Sequence, residues 1–233
     1  MREPIMKVFL LLTICLAVWL SVTPKLPLVS TLSTTCFLLD LAYFVVATSG
    51  SIMEKTDRLT IELYLAKPFS RGGIILADFF GTSTAVSILS FLLSLGLWVV
   101  FGLRQHEWNP NFIALFLSLL LGFLSLYCFI ILSGLLVRNV SVVVITWVGY
   151  VYFIALLLEE RVNFVYIQLP QIQYRVLFDG IYYLLPQLFG LHRSFSAILT
   201  QTSLDISPVI TSGLSAMGAL TVAVFYFKRK DLE

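Results

Sequence analysis

Residues 111–137 read NFIALFLSLLLGFLSLYCFIILSGLLV, a run without a single Asp, Glu, Lys or Arg. About 20 mostly apolar residues suffice for one helix to cross the roughly 30 Å hydrocarbon core of a bilayer. A surface helix of a soluble domain keeps a polar face toward water, and this stretch has none. It therefore reads as a membrane span. The pattern recurs at 6–22, 28–53, 73–103, 140–158 and 207–227. The expected fold is all-α: a polytopic membrane protein with six transmembrane helices forming one domain over 1–233. Runs 73–103 and 111–137 exceed a single crossing, which predicts tilt or extension beyond the membrane.

Composition points the same way. Hydrophobic residues make up 59% of the chain and charged residues 12%, against roughly 25% charged in soluble domains. A water-soluble fold of this size leaves about 30% of its unfolded surface exposed, too much to hide so apolar a chain. The net charge of +2 and the lack of a basic stripe interleaved with aromatics point away from nucleic acid. Cys15, Cys36 and Cys128 all lie in apolar runs without a C-x-x-C pair, so they read as small apolar residues, not disulfide or zinc ligands. Run 6–22 follows Arg2 as a signal peptide would, but 20–24 (LSVTP) is a poor small-x-small cleavage site. It is expected to remain as a span.

Basic residues set the orientation. With six spans, one side collects Arg2, Lys7, Lys55, Arg58, Lys67, Arg71, Arg138, Lys228, Arg229 and Lys230. The other holds Lys25, Arg104, Arg161, Arg175 and Arg193. Ten against five places both termini in the cytoplasm and makes 159–206 the one long external segment.

Between the second and third spans, 51–73 reads SIMEKTDRLTIELYLAKPFSRGG. Leu59, Leu63 and Ala66 recur at helical spacing, with Asp57, Arg58, Glu62 and Lys67 around them. Pro68 disfavours helix at Lys67 and stops the element sharply. A short amphipathic helix here can lie on lipid or dock in a partner's groove. On these residues alone, a solvated loop with one helical turn is the plainer account.

The order Glu54…Thr60…Leu63-x-Leu65-Ala66-Lys67-Pro68-Phe69-Ser70-Arg71-x-x-Ile74-x-Leu76…Gly81 resembles the signature of type-2 ABC exporter permeases. It is similar above all to the branch containing the nitrous-oxide-reductase maturation permease. In that family an acidic residue ends the second span, a Thr and a Leu-rich turn follow, then Lys-Pro-(aliphatic or aromatic)-Ser-Arg, and the third span opens Leu-Gly-Lys-x-x-Gly. The resemblance extends to the Tyr-Leu-Leu-Pro at Tyr183–Pro186 and to Phe227-Lys228-Arg229-Lys230-Asp231-Leu232. Each motif is moderately specific; their order carries the inference. Leu59 stands where the family often has Gly, and Ala77-Asp78 replace the Gly-Lys of the third span. No role of that Lys carries over, and a specialised or heteromeric subunit becomes more plausible.

The resemblance implies that residues 54–72 couple the chain to an ABC ATPase subunit through Glu54, Arg58, Leu59, Leu63, Lys67, Pro68 and Arg71. The leucines would be buried in a groove and the charges paired at its rim. It implies a second permease subunit, the same chain or a related one. It also implies an external gate at Tyr183, Pro186 and Phe189. No G-x-x-x-x-G-K-[ST] occurs, so ATP and Mg would be bound by the partner ATPase, and this chain is expected to bind no cofactor and catalyse nothing itself. The expected location is the cytoplasmic membrane of a bacterium or archaeon. A non-transporting scaffold or signal-transmitting subunit of an ABC-type complex is the alternative.

Asp40 is the one carboxylate near the middle of a span, where charge costs roughly 2.5–3.5 kcal/mol on insertion scales. With Tyr43 at helical spacing it forms a mildly polar stripe, read either as an interhelical hydrogen bond or as part of a substrate path. Asp78 lies near the inner end of its span, within reach of interfacial water. His106 and His192 fall outside the spans and read as surface residues. Thr211, Ser212, Gly213, Ser215, Ala216, Gly218 and Ala219 read as a packing face of the last span. Within 159–206, Leu188, Leu191, Phe195 and Ile198 share one helical face. Gln187, Arg193, Ser194 and Ser196 lie largely elsewhere, and Tyr166, Tyr174, Tyr182 and Tyr183 suit the headgroup level. Pro170, Gly180, Pro186 and Gly190 are expected to cut this segment into short interfacial or re-entrant pieces.

Overall fold

Each apolar run beyond residue 70 forms a long helix. The computed structural model of the chain describes residues 48, 71–105, 108, 113–137, 139–169, 171–199 and 205–229. Helix α1 is Arg71–Gln105, α2 Ile113–Val137 and α3 Val140–Glu159. The segment after α3 forms α4 (Val165–Gln168), α5 (Ile172–Leu184) and α6 (Leu188–Leu199), and α7 is Ser207–Arg229. All regular structure among the described residues is helical, and α1, α2, α3 and α7 are long and apolar enough to cross a membrane. The described part of the chain is thus all-helical, with four helices suited to crossing a membrane. Expected spans 6–22 and 28–53, and the coupling segment except Arg71 and Gly72, lie outside the described residues apart from Thr48.

Local chemistry sets the helix ends. Asn139 adopts an extended conformation, and its side-chain oxygen accepts the N–H groups of Ser141 at 3.0 Å and Val142 at 3.3 Å, capping α3. Asp205 Oδ1 accepts the Ser207 N–H at 3.0 Å, and Pro208 occupies the first turn of α7, where a missing N–H costs nothing. Lys228 and Arg229 close α7 against the negative end of its dipole. Within α3, Tyr150–Ile154 winds as a π-helix between two α-helical stretches.

Helix α2 is the central post. It packs against α1, α3, α6 and α7, which explains why its sequence is apolar all round instead of amphipathic. Leu119, Phe123, Leu126, Tyr127 and Ile130 on it are fully buried. Helix α7 presents Ser212, Ala216, Ala219, Ala223 and Phe227 as its buried face. Lipid supplies no hydrophobic drive between helices, so close approach of small side chains stabilises this seam. The expected packing face is present at Ser212, Ala216 and Ala219, while Gly213, Leu214 and Gly218 are exposed.

The helices alternate in direction. A Cβ built on Gly72 would meet Lys228 Cε at 2.6 Å and Val224 Cγ1 at 3.2 Å, so α1 begins where α7 ends. A Cβ on Gly102 would meet the Trp108 ring at 2.5 Å, at the opposite end of α1. Between α3 and α7 the structure corrects the expected breakpoints. Gly180 lies inside α5 and Gly190 inside α6, and the chain between them breaks only at 185–187. Gly190 is needed for another reason: a Cβ there would come within 3.0 Å of Pro208, so α6 approaches α7 closely.

With Arg193 and Lys228 at opposite ends of the bundle, a cysteine placed at Arg193 should react with an impermeant reagent added outside intact cells. A cysteine at Lys230 should not. Labelling at position 230 under those conditions would reverse the orientation.

Candidate functional site: a charged clasp and its buried tip

Three consecutive charges, Glu159-Glu160-Arg161, lie at the end of α3 and gather the segment that follows around them. Arg161 is the hub. Its Nε donates to Asp179 Oδ1 at 2.8 Å, its Nη1 donates to the Leu158 carbonyl at 3.0 Å, and its guanidinium sits 3.6 Å from the centre of the Tyr182 ring. The Tyr182 hydroxyl donates to Glu159 Oε2 at 3.1 Å. Glu159 and Glu160 both meet Arg193, at 3.3 and 3.7 Å. One chain of charge and aromatic contacts thus ties α5 and α6 to the end of α3. The Arg161 side chain is 12% exposed, whereas that of Arg193 is 72% exposed. Arg161 is the structural member of the pair.

The break between α5 and α6 is buried. The Tyr150 hydroxyl, from the first residue of the π-helical turn, donates to the Pro186 carbonyl at 2.6 Å. The Gln187 N–H donates to Ser212 Oγ at 2.9 Å. Hydroxyls from α3 and α7 thereby take up backbone groups freed where neither α5 nor α6 can bond them. π-Turns recur at functional positions, and this one carries the side chain that holds the tip.

Of the residues expected to form an external gate, Pro186 is buried at this tip and Phe189 packs partly buried against the core. Tyr183 is 55% exposed and stands edge-on to Tyr182. The structure brings Pro186 and Phe189 together and leaves Tyr183 outside. Glu54, Arg58, Leu59, Leu63, Lys67, Pro68, Asp40 and Tyr43 lie outside the described residues, as does His106. Arg71 opens α1.

His192 requires a correction: it is buried, not a surface residue. Ser118 Oγ on α2 lies 3.2 Å from its Nδ1 and Ser196 Oγ 3.4 Å from its Nε2. Burial pushes its pKa down to about 4, so the ring is neutral and pins α6 to α2. Sequence position held the signal, since residue 192 falls on the face defined by Leu188, Leu191 and Phe195. Gln187 and Ser194, expected away from that face, are buried as well.

Acid should loosen this region. A folded-state His192 that stays neutral to about pH 4, against about 6.5 when unfolded, makes stability fall as pH drops through that window. Asp179 adds to this: hydrogen bonding from Tyr166 and then Arg161 holds its carboxyl below the usual range. Its contribution is present above about pH 4 and lost as pH falls further. Protease sensitivity of 160–171 should therefore rise between pH 6.5 and 4, and less steeply in His192→Gln. A flat profile in the wild-type chain would contradict the assignment.

Inside the bundle, Asp78 does not simply reach interfacial water. The fully buried Tyr127 donates its hydroxyl to Asp78 Oδ2 at 2.9 Å and lies 3.2 Å from Thr82 Oγ1. Phe79 and Phe123 stack on the tyrosine ring. A carboxylate on a span is thus held by a tyrosine on the neighbouring helix. Among the described residues, no three His, Cys, Asp or Glu side chains gather as a metal-ligand set.

No family model, curated protein or solved structure matches the chain.

Proposed function

We propose that the chain is the permease subunit of an ATP-driven exporter, with six spans, both termini cytoplasmic, and ATP hydrolysed by a separate subunit. The observation that carries this reading is the ordered set Glu54…Lys67-Pro68-Phe69-Ser70-Arg71…Gly81, which leads directly into α1. Two features support it. The start of α1 and the end of α7 meet at one end of the bundle, the end the basic residues assign to the cytoplasm. The clasped, partly buried external segment occupies the other. A motor docked on 54–71 would push α1 at its first turn, and α1 is linked through Asp78 and Tyr127 to the central α2. Transport then follows from different substrate affinities of the inward- and outward-open states. Two copies of this chain, or this chain and a related one, would enclose the path in the cytoplasmic membrane of a prokaryote.

A cysteine at Lys67, treated with a short bifunctional thiol–amine crosslinker in native membranes, should capture a protein carrying G-x-x-x-x-G-K-[ST]. Capture of no such protein by a correctly inserted chain would overturn the reading.

A further inference from the structure

Helix α5 buries none of its thirteen residues. One side of it, Phe178, Ile181 and Tyr182, packs partly buried against the core. The other side is an apolar stripe left open. At 3.6 residues per turn, Ile172, Val176, Leu177, Tyr183 and Leu184 fall within one arc of about 140°. Their exposures run from 55% to 76%. Together they expose on the order of 600 Å², most of the roughly 800 Å² per partner that a standard interface buries. Gly180 lies at the middle of the arc, and a Cβ built there would meet nothing within 4 Å. The stripe carries no charge, and Gln173 is its polar member. Arg175 and Asp179 lie off it, the first over the Tyr166 ring at 5.5 Å and the second bonded by Arg161 at 2.8 Å.

Two ties fix the height of this stripe. Asp179 is held by Arg161, just past the end of α3, and Pro186 by Tyr150, well inside α3. The two helices therefore run antiparallel side by side over that stretch, and Ile172 lies about 10 Å beyond Asp179 in the direction away from the bundle. Helix α3 is about 30 Å long, the depth of the hydrocarbon core, and headgroups add only about 5–8 Å on each side. Tyr183 and Leu184 thus stand at the depth of lipid tails, whereas Ile172, Val176 and Leu177 stand among the headgroups or beyond them. Exposed apolar surface at that height favours burial. Lipid tails can cover only the lower part of the stripe, and a water-soluble protein only the upper part. A second α5 covers both.

We propose that the Ile172–Val176–Gly180–Tyr183–Leu184 stripe of α5 is the surface through which two copies of this chain pair. The inference rests on the permease reading and specifies where its two copies meet. Two copies in one bilayer are related by a two-fold axis along the membrane normal, so each residue near that axis faces its own counterpart. Like charges would then meet, which an uncharged stripe avoids. Gly180, with open space above it, lets the two helices approach closely at their crossing.

The test is disulfide crosslinking of the full chain in native membranes, with the wild-type chain setting the background from its own cysteines. Val176→Cys and Tyr183→Cys should each give a covalent dimer of this chain. Tyr174→Cys, off the stripe on the same helix, and Ile145→Cys, on α3 at a residue 71% exposed, should not. Gly180→Leu should cut the Val176→Cys yield at least about tenfold by blocking close approach. It should leave the protease resistance of 160–187 unchanged, because nothing in the chain lies over Gly180. No dimer from the stripe cysteines, as with lipid or another protein on the stripe, would overturn the proposal. Equal yields at Tyr174 or Ile145, or a yield untouched by Gly180→Leu, would do the same. The permease reading has a separate readout: capture of an ATPase at Lys67 without a stripe dimer would leave it standing and place the contact between copies elsewhere.

Discussion

Leu63→Asp combined with Arg71→Glu is expected to weaken ATPase association by several orders of magnitude while leaving the chain inserted. Burial of one leucine is worth about 1.5–3 kcal/mol, and loss of a desolvated interfacial charge pair costs about 2–5 kcal/mol. The two together amount to about 3.5–8 kcal/mol, roughly a few hundredfold to several hundred thousandfold in affinity. Leu63 stands between the second and third apolar runs and Arg71 at the first residue of α1, so neither change puts charge into hydrocarbon. Co-purification of the ATPase with wild-type and variant chains, with a check of insertion, reads the effect. Retention at wild-type level by an inserted variant would return 54–71 to a plain surface loop.

The second large effect is expected at Arg161. Arg161→Leu removes a charge-assisted bond to Asp179, a bond to the Leu158 carbonyl and the cation–π contact with Tyr182. Charge-assisted bonds contribute about 1.5–3 kcal/mol and a partly desolvated cation–π contact about 1–2 kcal/mol, so the loss should total roughly 2–4 kcal/mol after relaxation. Arg193→Ala breaks two ion pairs against the one at Arg161, but its side chain is 72% exposed, and exposed pairs are worth about 0–1 kcal/mol. The thermal midpoint and the protease resistance of 160–187 should therefore fall sharply in the first variant and barely in the second. Equal effects would mean that α5 and α6 are held by their apolar contacts and not by the clasp.

The contrast between these residues also marks what a linear sequence can reveal. Runs 73–103, 111–137, 140–158 and 207–227 match α1, α2, α3 and α7 within about two residues at most ends, because lipid forces each span to satisfy its own backbone over a fixed length. Hydropathy reads that constraint directly. The clasp was not legible in the same way. Glu159-Glu160-Arg161 announces charge at the end of an apolar run, but Asp179 and Tyr182 reach Arg161 only through the fold of the segment between α3 and α6. The Tyr150–Pro186 bond likewise joins residues that no periodicity relates. His192 was misread by residue type, although its position on the Leu188–Leu191 face implied burial. Gly180 and Gly190 were misread as breakers. A glycine in a helix costs only about 1 kcal/mol, which close packing on Pro208 outweighs at Gly190.

The central claim is that a separate ATPase drives this chain, and the mass of the assembly extracted from native membranes tests it most directly. Native mass spectrometry after mild solubilisation should find two permease chains with two ATPase chains, each ATPase carrying a P-loop. Recovery of the chain alone, or only with proteins lacking that motif, would contradict it.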